Sequence, residues 1–524
     1  MALGDLLARG YFPKELPRPF VTAPFANTIT QAKPLPADFA KTPSKRNGLR
    51  PAKAGKYSLA RGGLFRRPLS ICNPLHYFLL SKELIENWRA IEPRVSGSSL
   101  AATSPDFKVI GRAIDGKWPQ TAHVNFARDR RLGMKYVLQT DINRFYGSIY
   151  THSIPWALHS KPIAKLNRSF TLLGNKIDYW VRMAQDQQTM GIPIGPDSSL
   201  VLAELIMHRC DEALLNKIPS AKGFRFIDDY ELSFKTRMEA EDAYDILESC
   251  LSEYELTLNA KKTAIKELPL PLEKTWATEL KLLPFRDSQG GQAADLHNYF
   301  SRAFWLHSQF PGEAVLQFAI ASLRNVSIAA GNWPMFQKLL LLCVIPEPAT
   351  LPYVLEQIIQ RVNAGAGAPV KEIEEIANQL IQAHANLRHS SEVANAIWAC
   401  LALKLELSTN SVDAVSQCDD PVVALLALDA EGQGRTAKVI DKALWTSHMT
   451  ADALYDEHWL LAYEANVKAW LPNGGGVDFV ATDPNFGFLK NENVFFYDSS
   501  RATPAGAAPI PMPTLPTIVT FAGY

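Results

Sequence analysis

Apolar and polar residues alternate along the stretch from Gly223 to Phe234, and two adjacent acids interrupt the alternation. A period of two is typical of a half-buried strand, so the pattern predicts a β-hairpin with Asp228 and Asp229 at its tip. Like charges beside apolar residues are costly unless a positive charge offsets them. Mg²⁺ is commonly held by one or two carboxylates together with substrate phosphates, so a magnesium site is the simplest explanation.

Other periodic stretches of the first half predict a mixed domain. The apolar run from Lys135 to Asp141 predicts a buried strand that ends on an acid. Helices are expected over about 72–95, 153–158, 197–215 and 239–254. Strand, helix, hairpin and helix together predict an α+β domain that ends near residue 285.

Beyond a linker at 286–294 the apolar period changes to that of a helix. Helices are expected over 293–307, 313–329, 333–344, 350–363, 370–386 and 391–406, and less clearly to about 470. Paired helices of this length resemble an α-solenoid of HEAT-like units, although no clean repeat is found in the sequence. An irregular helical bundle is the alternative.

The two ends of the chain have compositions of their own. Residues 1–40 are rich in proline, which predicts an extended arm around a short helix, and nine basic residues without an acid follow between Lys41 and Arg67. This basic strip is either a disordered linker or a surface that holds phosphates. The predicted regions are an arm and basic strip (1–60), the α+β domain (61–285), an α-helical repeat domain (290–475) and an irregular tail (476–524).

Composition narrows the class of protein. A length of 524 residues exceeds the roughly 250–300 at which a single core stops growing, so several domains are expected. A formal charge of +1 excludes general polyelectrolyte binding, and any path for nucleic acid must come from local basic clusters. Six dispersed cysteines argue against a cysteine zinc site or a disulfide framework and favour a reducing cytoplasm. Neither a signal peptide nor a membrane span is recognisable, so we expect a soluble protein without a membrane partner.

Three acids form the most informative constellation. Asp141 ends a predicted strand, Asp228 and Asp229 occupy a predicted hairpin tip, and a Gly/Pro-rich loop with a helix lies between them. Two-metal nucleotidyl transfer needs acids from separate strands that meet at one point, where one metal activates the attacking oxygen and the other steadies the leaving pyrophosphate. An isolated Asp-Asp pair is weak support, because such pairs are common on surfaces; the ordered set is more specific.

This ordered set resembles the palm motifs of reverse transcriptases. The similar segments are Asp141-Ile-Asn-Arg-Phe-Tyr-Gly-Ser-Ile149, Gln188 through Glu204, Phe226-Ile-Asp-Asp229, Leu256-Thr-Leu-Asn-Ala-Lys-Lys-Thr263 and 270–276, the last as a grip strand. Three further segments, 9–13, 66–74 and 150–159, resemble the bacterial abortive-infection and defence-associated reverse transcriptases of the AbiK and AbiA kind. In that group an α-helical repeat domain follows the fingers and palm in place of an ordinary thumb.

The resemblance implies a role for each acid and for one tyrosine. Asp141 and Asp228 would bridge two Mg²⁺ ions, or Mn²⁺ in their place, and Asp229 would support the same cluster. Tyr146 would be the steric gate that meets a ribose 2′-hydroxyl, so that dNTPs are preferred. An ordinary core tyrosine is the alternative interpretation.

The remaining site residues follow from the same motifs. The resemblance implies that the nascent base pair and nucleotide are contacted by Gln188, Gly191, Pro193 and Gly195. It implies that Lys262, with Lys261 as substitute, protonates the leaving pyrophosphate. The candidates for the triphosphate are Arg66, Arg67, Arg128 and Arg130. We expect His152 and His159 to be structural.

The implied activity departs from that of a conventional reverse transcriptase. No basic thumb helix follows Trp276, although an enzyme that holds a long duplex would need one. AbiK-like members make DNA without a template and prime it from a protein hydroxyl, so the resemblance implies that option in antiphage defence, with single-stranded DNA as product. The candidate priming residues are Tyr11, Tyr57 and Tyr524, which lie in segments that look mobile.

Two alternatives and one assembly state complete the expectations. The first alternative is cDNA synthesis on a bound RNA template. The second is a non-catalytic helical-repeat protein that binds or senses a partner and whose palm is a relic. A homo-oligomer is expected, because helical repeats associate through exposed stacking faces.

Overall fold

The computed structural model describes residues 2–44, 46, 48–63 and 65–502. Within this described part, all strands precede residue 268, whereas helices run throughout. The strands are β1 (Gly55–Ala60), β2 (Arg66–Ile71), β3 (Pro105–Phe107), β4 (Ile114–Gly116), β5 (Tyr136–Asp141), β6 (Lys222–Phe226), β7 (Asp229–Phe234) and β8 (Ala264–Glu267).

Helices divide into two series, one in each half of the chain. Those of the first half are α1 (Leu3–Arg9), α2 (Ala23–Ile29), α3 (Pro74–Glu86), α4 (Trp88–Val95), α5 (His123–Arg131), α6 (Phe145–Ser148), α7 (Ser153–His159), α8 (Lys161–Leu166), α9 (Leu173–Met183), α10 (Ser198–Lys217), α11 (Arg237–Ser252) and α12 (Thr275–Lys281). Those of the second half are α13 (Gln289–Gln309), α14 (Val315–Ser322), α15 (Trp333–Leu342), α16 (Leu351–Asn363), α17 (Val370–His384), α18 (Ser390–Leu403), α19 (Thr409–Ser416), α20 (Pro421–Gly432), α21 (Ala443–Thr446), α22 (Trp459–Val467), α23 (Phe479–Thr482) and α24 (Pro484–Asn491).

A four-stranded antiparallel sheet in the order β6-β7-β5-β8 is the centre of the first half. The predicted hairpin is confirmed, with β6 and β7 joined at residues 227–228, and the predicted strand ending at Asp141 is β5. The register pairs Asp141 with Asp229 directly across β5 and β7. Helices α10 and α11 pack beside this sheet, and α11 begins with a capping box between Thr236 and Glu239.

The predicted grip strand over 270–276 is wrong, because α12 begins at Thr275. Pro269 and Pro271 lack the backbone N–H that an inner strand must donate, so the chain leaves the sheet at this point. The strand that completes the sheet beside β5 is instead β8, which lies just before the two prolines.

The N-terminal arm and residues 476–502 of the C-terminal tail are packed together, which corrects the expectation of an extended arm and of an irregular structure over this part of the tail; residues 503–524 lie outside the described residues. Two short helices form in each segment, α1 and α2 in the arm and α23 and α24 in the tail. Tyr11 stacks on Tyr77 of α3 with ring centroids 4.3 Å apart, and Phe496 packs against Tyr11 from the tail. The aromatic residues between the prolines bury large apolar areas, and this burial orders the segments.

The helical half is docked on the hairpin formed by β1 and β2. The side-chain hydroxyls of Ser390 and Ser391, at the start of α18, accept hydrogen bonds of 2.9 Å from the backbone N–H groups of Ser58 and Ala60. These bonds satisfy the outer edge of β1, which would otherwise be exposed. At the hairpin tip, a side chain added to Gly63 would come within 2.8 Å of a backbone oxygen, so the close approach to residues 311–314 requires glycine there.

Neighbouring helices of the second half pack on one another, as α17 on α18 and α18 on α20. The predicted helices are confirmed, whereas their HEAT-like organisation stays a prediction. In the described part of the chain, no helix combines the length and the apolar character needed to span a bilayer.

Candidate active site

The three predicted acids meet at one end of the central sheet. Asp141 is the last residue of β5, Asp229 is the first residue of β7, and Asp228 lies in the turn that precedes it. One carboxylate oxygen from each lies within 4.8 Å of the others. Asp141 and Asp229 are largely buried, at 6% and 8% exposure.

Burial and mutual repulsion make the ionised acids costly. Burial, followed by the Asp141 carboxylate, raises the pKa of Asp228 to about 7. Burial, followed by the Asp228 carboxylate, raises the pKa of Asp229 well above its ordinary value. The Lys262 ammonium donates a 2.8 Å hydrogen bond to Asp141 Oδ2 and offsets part of this charge.

Asn259 also holds Asp141 in place, and motif reasoning did not single it out. Its backbone N–H donates a 2.7 Å bond to the Asp141 carbonyl, and its side-chain amide lies 3.4 Å from Asp141 Oδ2. The backbone oxygen of Asn259 also accepts from the Lys262 N–H at 2.9 Å. The sequence feature that could have identified Asn259 was its position inside the segment 256–263, beside the two predicted lysines.

The hairpin tip is held in an unusual backbone conformation. Ile227 has a φ of +57°, which is unfavourable for a β-branched residue. The Thr103 hydroxyl accepts a 2.8 Å bond from the Ile227 N–H, and the Arg225 guanidinium donates a 2.6 Å bond to the Ile227 carbonyl. These two bonds therefore fix the turn that presents Asp228.

Arg225 is itself fixed by two buried acids of α10. The guanidinium is fully buried and lies 2.9 Å from Glu204 Oε2 and 2.8 Å from Asp211 Oδ2. Tyr230 donates a 2.6 Å bond to Asp211, and Thr103 donates a 2.7 Å bond to Glu204. A compensated buried network of this kind ties the catalytic hairpin to α10.

Tyr146 and the Gly/Pro-rich loop lie together beside the acids. Burial, followed by the charge of the Asp228 carboxylate, raises the pKa of Tyr146 above its ordinary range. The Tyr146 carbonyl accepts a 2.9 Å bond from the Ile192 N–H. Gly191 has a φ of +80°, and an added side chain there would come within 3.3 Å of the Gly147 carbonyl.

The other two loop residues differ in exposure. Gln188 is exposed at the surface of the loop, where its side chain can reach a bound molecule. Pro193 is buried, and its carbonyl accepts a hydrogen bond from the Ser199 hydroxyl at the start of α10. Pro193 therefore shapes the loop through its backbone.

The four predicted triphosphate arginines are not equivalent, and Arg130 is a half-buried residue near the end of α5. Arg66 is bound to Glu392 of α18 at 2.6 and 2.8 Å and to Ser58, so its assignment as a triphosphate ligand is wrong. The reason is that α18 docks on the hairpin where Arg66 lies. Arg128 is far more exposed, at 58%, and pairs with the neighbouring Asp129 at 2.7 Å.

Arg67 and the unpredicted Arg61 are the basic residues of this hairpin that face the acids. The Arg67 guanidinium partly offsets the raised pKa of Asp228, so its charge acts on this acid. Burial, followed by the charge of Arg67, lowers the pKa of Arg61 to about 10, and Asp228 acts in the opposite direction. The basic strip contained Arg61, but nothing in its spacing distinguished it from its neighbours.

A further cation approaches from the start of α12. Lys274 lies near Asp229, whose carboxylate partly offsets the burial that lowers the pKa of this lysine. Its ammonium group is bonded to Glu313, which belongs to the helical half. Lys274 therefore connects the acid cluster with the second half of the chain, and motif reasoning missed it.

The candidate priming tyrosines are not in mobile segments, as far as the structure describes them. Tyr11 and Tyr57 are both fully buried, which corrects that expectation. The Tyr11 hydroxyl donates a 2.5 Å bond to the Cys72 carbonyl, so it is not presented to a nucleotide. Tyr524 lies outside the described residues.

Two nearby histidines have structural partners, as expected. His152 Nδ1 lies 2.9 Å from Asp178 Oδ2, and His159 Nε2 accepts a 3.0 Å bond from the Gly174 N–H. Both interactions connect the segment of α7 with α9.

The donor set of the cluster fits a hard divalent cation. Carboxylate oxygens are the ligands that Mg²⁺ and Mn²⁺ prefer. The raised pKa values of Asp228 and Asp229 indicate negative charge that the protein alone does not balance, and a cation would balance it. The site residues are therefore compatible with the metal that the sequence predicts.

Comparisons with known proteins agree with this geometry over part of the chain. Residues 80–286, less than half of the chain, match the family model described as reverse transcriptase (RNA-dependent DNA polymerase), so this region is similar to reverse transcriptase domains. No curated protein matches the chain.

Two telomerase structures are among the similar solved structures. Apo telomerase from Candida tropicalis is 9% identical, with 60% of this chain and 64% of that chain covered and a TM-score of 0.33. Telomerase from Candida albicans, in complex with a fragment of telomeric RNA, is 11% identical, with 58% and 62% covered and a TM-score of 0.26. The chain thus spans less than two thirds of either telomerase chain, and likenesses this weak say nothing about its activity.

Proposed function

We propose that the chain is a DNA polymerase of the reverse transcriptase type, which adds deoxynucleotides to a hydroxyl group and releases pyrophosphate. The convergence of the Asp141, Asp228 and Asp229 carboxylates within 4.8 Å carries the proposal. Together with the triphosphate, these carboxylates would hold Mg²⁺ or Mn²⁺. When bound, the cations supply charge stabilisation for phosphoryl transfer.

Side chains around the acids would orient the nucleotide. Arg61 and Arg67 bring positive charge to Asp228, where the triphosphate would lie. The Tyr146 ring beside the same acid would exclude a ribose 2′-hydroxyl and select dNTPs. Lys262, bonded to Asp141 at 2.8 Å, carries a proton that can pass to the leaving pyrophosphate.

Two versions of the reaction have separate support. Untemplated, protein-primed synthesis follows from the motif resemblance to the AbiK-like group, and Tyr524 is the priming candidate that burial does not exclude. RNA-templated synthesis is favoured by the description of the family model that matches residues 80–286. In both versions single-stranded DNA is the product, and an RNA partner belongs only to the second.

From the motif resemblance to the AbiK-like group we also propose a role in antiphage defence in the cytoplasm. The helical half would replace the thumb as an array of HEAT-like repeats and would provide the surface for a homo-oligomer. Its hydrogen bonds to β1 and its ion pair with Arg66 place it directly against the hairpin that carries Arg67, which supports the thumb-like role.

The test uses the purified full chain, labelled dNTPs and Mg²⁺ in parallel reactions, one with no added nucleic acid and one with an added RNA of defined sequence. Denaturing gels before and after protease treatment report polymer formation and covalent attachment. A product of random or single-base sequence attached to protein supports the untemplated version. Synthesis that requires added RNA and yields its complement supports the templated version.

The acid cluster is tested by replacing Asp228 and Asp229 with asparagine together. The double variant should make no product while keeping the wild-type circular dichroism spectrum. If this variant protects cells from phage as well as wild type does, the polymerase proposal fails. The chain would then act as a helical-repeat protein that binds or senses a partner.

A further inference from the structure

Three side chains from two connecting segments meet within the helical half: Asp419 lies between α19 and α20, and His448 and His458 lie between α21 and α22. The imidazole rings of His448 and His458 stack with centroids 3.6 Å apart and an interplanar angle of 9°. Both Nε2 atoms lie 2.9 Å from the same oxygen, Oδ1 of Asp419. The three side chains are between 11% and 22% exposed, so the cluster is sheltered but reachable from solvent.

We propose that Asp419, His448 and His458 bind a divalent transition-metal ion of the Zn²⁺ class. Imidazole nitrogens and one carboxylate oxygen are a donor set that such ions prefer over Mg²⁺. Three protein ligands leave a coordination position for water. This donor set and its loops are separate from the polymerase acids.

The distances suit such an ion after a small adjustment. Ligands about 2.1 Å from a tetrahedral Zn²⁺ lie roughly 3.4 Å apart. The two N···O separations of 2.9 Å therefore need to widen by about 0.5 Å. The two nearly parallel rings must also rotate out of their stack, so that the ion lies in the plane of each imidazole. All three ligand atoms already lie within 4.8 Å of one another.

The proposed ion would use three atoms that already converge. It would take the place of the two hydrogen bonds between the imidazoles and Asp419 Oδ1. The second carboxylate oxygen of Asp419 stays with Arg388, whose nearest nitrogen is 3.4 Å away.

A carboxylate lies near the second ring nitrogen of one proposed ligand. His458 Nδ1 lies 3.6 Å from Asp456 Oδ1, which already accepts a 2.7 Å bond from the His458 backbone N–H. A rotation of the ring that shortens the 3.6 Å separation to a hydrogen bond would let this carboxylate orient the ring and make the opposite nitrogen a better ligand.

A second histidine pair of the helical half provides a contrast. His384 and His389 face each other through their Nδ1 atoms at 2.9 Å, so one ring donates to the other. The neighbouring Glu392 is bound by the Arg66 guanidinium at 2.6 and 2.8 Å. A cation there would compete with that guanidinium, so this pair serves as a control.

The position of the proposed site suggests what the ion does. Asp419 lies two residues before α20, and His458 lies immediately before α22. Between His448 and α22, the Leu454 carbonyl accepts a 2.9 Å bond from the Asn73 side chain at the start of α3. The ion would thus connect the segment 448–458, which contacts the first half of the chain, to the start of α20.

The test is a titration of chelator-treated, full-length protein carrying Asp228→Asn, which weakens cation binding at the polymerase acids. We expect one equivalent of Co²⁺ to give visible d–d absorption, and Zn²⁺ to displace it and raise the melting temperature. Absence of both the absorption and the Zn²⁺-dependent shift overturns the proposal. This measurement needs no change at the proposed ligands.

Variants in the same background identify the ligands. His448→Ala with His458→Ala should lower Co²⁺ affinity by at least about a hundredfold, and Asp456→Asn should lower it by about ten- to a hundredfold. The matched pair His384→Ala with His389→Ala should bind as before. Unchanged affinity in the first variant, with circular dichroism confirming its fold, would refute the assignment.

Discussion

The acid cluster should cost the protein stability when no cation is present. The pKa of Asp228 is raised to about 7 from an ordinary value of 3.8. The folded state therefore binds a proton more tightly than the unfolded state does. The contribution of Asp228 to stability should fall as pH rises from about 4 to about 7, the range between its unfolded and folded pKa values. Asp229, whose pKa is also raised by burial and by Asp228, changes stability in the same direction.

The Asp228→Asn variant removes this penalty while keeping the shape of the side chain. One pKa unit corresponds to about 1.4 kcal/mol. The raised pKa of Asp228 therefore limits the increase in the free energy of unfolding of the variant at pH 8 to about 4 kcal/mol. If the whole chain unfolds cooperatively, this limit corresponds to about 3–4 °C in melting temperature. At pH 4 the variant and wild type should melt together.

Thermal unfolding of both proteins between pH 4 and pH 8 in chelating buffer measures the effect. Asp129→Asn is the matched control, because this exposed acid pairs with Arg128, which holds its pKa below the ordinary value. The control should show no gain that grows with pH. Adding Mg²⁺ at pH 8 should stabilise wild type more than Asp228→Asn. A variant that is less stable than wild type at pH 8 without metal would refute the electrostatic account.

Three further predictions concern residues around the acids. Tyr146→Ala should raise incorporation of rNTPs relative to dNTPs by at least about tenfold, because one pocket contact discriminates between similar substrates by about 1–3 kcal/mol. An unchanged ratio of rNTP to dNTP incorporation in competition assays would contradict the steric gate. Arg225→Met should destabilise the fold by about 3–5 kcal/mol in denaturant titrations, because it leaves two buried acids uncompensated, and a neutral result would contradict the network. Arg67→Ala should raise the KM for dNTPs by about tenfold or more in steady-state kinetics. Arg66→Ala should instead lower the melting temperature, because it breaks the ion pair with Glu392 of the helical half. A raised KM in Arg66→Ala with an unchanged KM in Arg67→Ala would contradict these assignments.

Local patterns predicted the part of the site that depends on short-range spacing. Alternation around Asp228 and Asp229 predicted the hairpin, and the run ending at Asp141 predicted the strand beside it. Alternation is a direct consequence of the strand geometry, in which successive side chains point to opposite faces. The pairing of Asp141 with Asp229 then follows from the register of two neighbouring strands.

The arginines show where local pattern stops being informative. Arg66 and Arg67 are neighbours in the sequence and looked equivalent. In a strand they point to opposite faces, so Arg66 meets Glu392 and Arg67 faces Asp228. Which face carries the active site depends on where α18 docks, and that contact joins residues more than 300 positions apart.

The sequence by itself determined the strand, the hairpin, most of the helices and the identity of the three acids, because periodicity and turn chemistry act over a few residues. Only the tertiary structure decided that Tyr11 and Tyr57 are buried, that Arg61 and Lys274 approach the acids, and that Asp419 meets two histidines. Those outcomes depend on the packing of segments that are distant along the chain. Such packing is selected by the total area that the folded chain buries and by which charges it leaves compensated, and no local spacing encodes either quantity.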